Sequence, residues 1–147
     1  MSVTPTPIEI PIYQGATLVE DFERQFFPYE VEWDCDRWVK VCNRQPAPDT
    51  DMELENYAGC EAVAVLVRDI GSTDVITTLS TANGGIVLDG AWMRFRMSAA
   101  ATAALQYGLS APAWTSCVAY VYVTRPDGTV EPQYLVSFVL LQGTPRP

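Results

Sequence analysis

The sequence predicts an all-β protein: an antiparallel sandwich of about seven or eight strands, with one short helix and an extended N-terminal arm. Three observations lead there. Short β-rich runs alternate with a period of two, turn signals built on Gly, Pro and Asn separate them every 8 to 12 residues or so, and only one segment reads as helical. A chain of 147 residues is long enough to bury its own core, so one sandwich domain over residues 13–147 is the expected organisation.

Residues 1–12 hold Pro5, Pro7 and Pro11, which rule out helix and favour an extended arm. Ile8, Ile10 and Ile12 give the arm one apolar edge, followed by Tyr13, which suits a strand added to the sheet of an adjacent subunit. Deleting such an arm should lower assembly and leave the domain folded. Ala16 to Phe27 reads as one strand. Tyr29 to Cys42 reads as another, with Glu30, Glu32, Asp34 and Asp36 on one parity and Val31, Trp33, Cys35 and Arg37 on the other. The segment 43–56, with two prolines and a cluster of acids, reads as an exposed loop, and residues 29–56 together form an acidic segment.

Further on, strands are expected at 62–67, 75–80, 86–88, 92–97, 118–124 and 129–141. Asn83-Gly84-Gly85, Asp89-Gly90 and Pro126-Asp127-Gly128 are the turns between neighbours. In the run from Trp92 to Met97, Arg94 and Arg96 share one face while Met93, Phe95 and Met97 share the other. Ser98 is placed to cap a helix over Ala99 to Leu105, ended by Gly108, because Ser is a good N-cap and Ala the strongest helix former.

Composition narrows the function. The chain has no histidine, which excludes Ser-His-Asp and Cys-His hydrolysis and His-ligated zinc. A net charge of −9, with Lys40 as the single lysine, argues against a nucleic-acid partner, whose phosphates are held by Lys and Arg. Residues 1–60 carry 12 acids and 4 bases (net −8) and residues 61–147 carry 6 and 5 (net −1), so the acidity is an N-terminal property. The start of the chain lacks the basic residues and apolar block of a signal peptide. The apolar run Tyr134 to Leu141 is far shorter than the roughly 20 residues of a membrane helix. A soluble protein made in a reducing cytoplasm is therefore expected, with no membrane partner. Its four cysteines, Cys35, Cys42, Cys60 and Cys117, should then be free and mostly buried, a Cys35–Cys42 bridge being the alternative. Their spacings of 7, 18 and 57 residues do not support a four-thiolate zinc site.

Two groups of residues invite a functional reading. As one strand face, Glu30, Glu32, Asp34 and Asp36 would lie about 6.5 to 7 Å apart, a spacing that touches calcium binding and inverting glycosidases. The favoured reading is a solvated face whose like charges discourage strand pairing. The aromatic residues Trp33, Trp38, Trp92 and Trp114, with Tyr13, Tyr29 and Tyr57, read as core or subunit interface before they read as a sugar platform. Ile8, Ile10, Ile12, Tyr13, Trp33, Trp38 and Trp114 are the interface candidates. No catalytic residue, metal ligand, cofactor or small-molecule substrate is expected.

The order Leu54-Glu55-Asn56-Tyr57, Ala62 to Arg68, Ser80 to Asp89, Met97 to Leu105 and Tyr120 to Val130 resembles small Ig-like β-sandwich modules of tailed bacteriophages, among them the N-terminal module of baseplate upper proteins. The resemblance spans about residues 12 to 142; the insertion at 29–56 departs from it, and the usual Asp-Leu-Thr-Gly-Tyr signal is here Glu53 to Tyr57. It implies a structural protein of the virion, in the tail, the baseplate or a fibre attachment. Its partners would be other virion proteins and copies of itself. A capsid decoration protein and a carbohydrate- or receptor-binding module are the alternatives.

Overall fold

Strand β12 (Val130–Leu141), twelve residues long, is the element around which the rest is arranged. The computed structural model describes residues 4–71, 73, 75–105 and 116–141. Ahead of β12 in the chain come β1 (Thr6–Tyr13), β2 (Leu18–Glu23), β3 (Gln25–Phe26), β4 (Val31–Asp34), β5 (Arg37–Lys40), β6 (Glu53–Leu54), β7 (Glu61–Val67), β8 (Val75–Ser80), β9 (Ile86–Asp89), β10 (Trp92–Met97), helix α1 (Ala99–Ala103) and β11 (Ser116–Thr124). The protein is all-β. A five-stranded sheet in the order β1-β12-β11-β7-β8 and a three-stranded sheet in the order β2-β10-β9 contribute to one core; β3 pairs with β6 and β4 with β5 in two small ribbons.

From residue 61 onward the predicted strands are present, and the alternation sets their faces as expected. Ala62, Ala64 and Leu66 of β7, Met93, Phe95 and Met97 of β10 and Val121 and Val123 of β11 all enter the core, while Arg94 and Arg96 turn outward onto Asp21 at 2.9 and 2.6 Å. Asn83 organises its turn: its Oδ1 accepts from the Ser80 and Gly85 amides. Gly85 has no alternative, since a Cβ there would lie 2.8 Å from the Leu79 side chain and 3.0 Å from its Cα. Ser98 caps α1, its Oγ accepting from the Ala101 amide at 3.1 Å. The expected stop at Gly108 lies outside the described residues.

The first sixty residues depart from expectation. The arm is not an arm: residues 6–13 are the edge strand of the chain's own sheet, paired in parallel with β12 from Thr6↔Tyr134 to Tyr13↔Leu141, so the sheet is mixed and not wholly antiparallel. Burial is the reason. Ile10 and Ile12 are 0% and 1% exposed and Ile8 packs against the same core, so the apolar edge is satisfied within the chain. Pro7 and Pro11 do not obstruct this pairing. Gln14 donates its amide to the Leu141 carbonyl, which sets the even-numbered backbone groups toward β12 and leaves both prolines on the outer edge, where no donor is needed. The expected strand 16–27 is broken into β2 and β3. The expected strand 29–42 is a hairpin, β4–β5, turning at Cys35-Asp36. Within 43–56, Asp49–Asp51 form a turn of 3-10 helix and β6 follows.

Candidate functional site

At one end of the core a bulge between Val121 and Tyr122 shifts the register of β12, so that Gln133 and Tyr134 are buried in succession and Glu131 and Gln133 share the inward side. Glu55, immediately after β6, is brought beneath them with its side chain only 4% exposed. Arg125 grips it with two bonds, Nη1 to Oε1 at 2.6 Å and Nη2 to Oε2 at 2.9 Å. Arg24 donates to Oε2 at 2.7 Å and the Asn56 amide to Oε1 at 3.0 Å. Those four bonds fill the acceptor positions of a carboxylate. The chain continues from Arg125 to Glu131 at 3.0 Å, while Gln133 Nε2 donates to Glu131 at 3.0 Å and the Tyr57 hydroxyl donates to Gln133 Oε1 at 2.7 Å.

Two arginines and two glutamates make this network neutral overall. Burial alone would raise the Glu55 carboxyl, but the hydrogen bonds and charge of Arg125, with help from Asn56 and Arg24, bring it below its ordinary value. The same contest, won by Arg125 and Gln133, holds Glu131 down. Burial pushes the Tyr57 hydroxyl well above its usual value, so it serves as a fixed donor. With its charges matched and its acceptors filled, the network pins residues 24, 55, 125 and 131 together, and it leaves the Glu55 carboxylate no spare position from which to take a substrate's proton.

The network floors an open cleft of about 490 Å³, walled on one side by Phe26, Phe27 and Tyr29. Tyr29 latches the hairpin to the 3-10 turn: its hydroxyl donates to Asp51 at 2.6 Å, Lys40 Nζ sits 4.8 Å from its ring centre, and Phe27 stacks on it. Burial and then the Asp51 bond push its hydroxyl up to about 12. Beyond the latch, β4 and β5 project with Trp33 opposite Trp38, ring centres 5.2 Å apart and planes at 77°. Both indoles face water, at 58% and 42% exposure. The other face of the hairpin buries Val39, which bridges to Pro46 beside the buried Ala47.

The structure sorts the interface candidates. Trp33 and Trp38 come together on the hairpin, Tyr13 is exposed at the end of β1, Ile8, Ile10 and Ile12 belong to the interior, and Trp114 lies outside the described residues. The acidic ladder is not one face. Glu32 is ion-paired with Arg44, Asp34 faces Arg37 across the hairpin, Asp36 is in the turn and Glu30 lines the cleft. No group of three potential metal ligands occurs among the described residues. The Glu55 network escaped sequence reasoning because its partners lie 31 and 70 residues away, with no local pattern to join them.

The cysteines are free, and contrary to expectation two are exposed: Cys35 in the turn and Cys42 after β5. Cys117 is buried in the core, which pushes its thiol up to about 12. A thiol reagent at neutral pH should therefore modify Cys35 and Cys42 in the native protein and reach Cys117 only on unfolding, as counted by intact mass; native labelling of Cys117 would contradict this placement.

No family model matches the chain, and no curated protein is detectably similar to it.

Proposed function

We propose that the chain is a structural protein of a tailed bacteriophage particle, an Ig-like β-sandwich of the tail, baseplate or fibre attachment that works by binding other virion proteins and copies of itself. It uses no catalytic step and no cofactor. The observation that carries this reading is the exposed Trp33–Trp38 pair on a latched hairpin. Two indoles on one projecting ribbon are costly to leave in water and are the side chains most often found at the energetic centre of an interface. The two sheets sharing one core support the sandwich, and the order of turn and strand motifs from Leu54 to Val130 supports the phage assignment. The acidic excess of the first sixty residues suits a basic partner surface.

Antibodies against the purified protein, applied with gold to particles of the phage that encodes it, should label the tail end. Labelling over the shell would favour capsid decoration instead, and particles without label would sink the proposal. In the same system W33A/W38A should fold normally yet fail to be incorporated.

A carbohydrate- or receptor-binding module is the second reading, favoured by the same exposed indoles. Their planes stand at 77°, so they offer two separate ring faces and not one flat platform. Tryptophan fluorescence titrated with host glycans tests it; no quenching or shift at millimolar sugar counts against it.

A further inference from the structure

The outer faces of the two main sheets differ in charge, although the three-stranded one also exposes Val19, Val87 and Trp92. On the three-stranded sheet the outer positions include Arg94 and Arg96 clamped on Asp21, with Asp89 beside them, as a solvated sheet face should. The outer face of the five-stranded sheet is almost uncharged and is apolar at its centre, with Thr78, Ser80 and Ser137 among its outward positions. Val63 and Val65 of β7, Tyr120 and Tyr122 of β11, and Leu135 and Val139 of β12 all alternate with core residues and so point away from the core; the four from β7 and β11 line a shallow hollow of about 150 Å³. Among the described residues, the outward positions of these strands carry charge only at Glu9 and Glu61, both near the margin.

Neither edge of this sheet accepts another strand readily. On β1 the outward backbone positions include Pro7 and Pro11, which have no N–H to give. On β8 the Thr81 amide donates to Ala62, so the even-numbered groups face outward. There the Asn83 carboxamide occupies two of them, Nδ2 donating to the Thr78 carbonyl at 2.9 Å and Oδ1 accepting from the Ser80 amide at 3.0 Å. Pairing is hindered at both edges, which leaves the face.

We propose that this face is the contact between two copies of the chain, stacked sheet on sheet about a two-fold axis. Size favours it. Five strands about 4.8 Å apart, from about 20 Å to about 40 Å long, present roughly 650 Å² in projection, on the scale of the ~800 Å² each partner contributes to a standard interface. Charge favours a copy over a charged partner. A chain of net charge −9 meets its own copy without like-charge repulsion only where the acids are absent, and here they are confined to the rim. Two identical twisted apolar faces also meet the geometric condition for aligned sheet packing.

The contact rests on the assembly role proposed above and gives its self-association a surface of its own, leaving the Trp33–Trp38 pair to other virion proteins, and the two fail separately. A monomer in solution would remove the face contact and leave the tail assignment standing, whereas unlabelled particles would do the reverse. Sedimentation equilibrium of the full chain at micromolar concentration should give twice the 16.2 kDa chain mass. Val65→Lys and Tyr122→Lys, both at exposed positions, should raise the dissociation constant by about 100-fold or more with the circular dichroism spectrum unchanged. W33A/W38A should leave the mass unchanged. A wild-type mass other than two chains overturns the proposal, as does a dimer indifferent to both lysine variants or one lost with the tryptophans.

Discussion

Replacing Glu55 by alanine should cost the fold about 3–5 kcal/mol, because the change leaves two half-buried guanidinium groups facing each other without their shared counter-charge. Arg24 and Arg125 donate three of the four bonds that Glu55 accepts, and Arg125 is also tied to Glu131. Glu55→Gln preserves the shape and loses the charge, so it should fall between wild type and Glu55→Ala. The network also sets an acid limit. Glu55 and Glu131 are both held below the ordinary glutamate value of 4.5, so their stabilisation is complete above that value and is lost as pH falls through the lower values of the folded state. Urea unfolding followed from about pH 6 to about pH 3 should show wild type losing stability more steeply than Glu55→Gln. Equal slopes would mean that the carboxylate is not the group responsible.

How far the sequence foretold this arrangement depended on whether local chemistry carried the signal. From residue 61 on, strands with strict alternation were separated by turns whose residues have a specific task, as Asn83 and Gly85 do, so strands and inward faces could both be read. In the hairpin the same rule misled. The bend at Cys35-Asp36 has neither Gly nor Asn, and Cys35 takes the left-handed conformation that those residues usually supply. Alternation therefore ran unbroken across it, and four acids resembled one face. The Trp33–Trp38 pair was legible as two interface candidates and not as a cross-strand contact. The acidity of the first sixty residues divides in the same way, with Glu55 turned inward onto two arginines and Glu32 paired with Arg44.

Removing residues 1–13 should abolish the folded state and not merely an assembly contact, the reverse of what an appended arm would do. Ile10 and Ile12 lie in the main core with Phe138 and Leu140, and truncating a buried isoleucine to alanine costs about 2–5 kcal/mol. Two such losses approach the whole stability of an ordinary domain, about 5–15 kcal/mol, before the parallel ladder along β12 is counted. The deletion also converts β12 from an inner strand into a bare edge over Tyr134 to Leu141, an apolar segment whose unpaired groups invite aggregation. Ile10→Ala alone tests the packing without removing the strand and should lower the urea midpoint with the slope preserved. The truncated chain should give no cooperative unfolding transition. If it unfolds cooperatively within a few degrees of wild type, β1 contributes pairing without support, and the proline-edged strand becomes free to serve a neighbour.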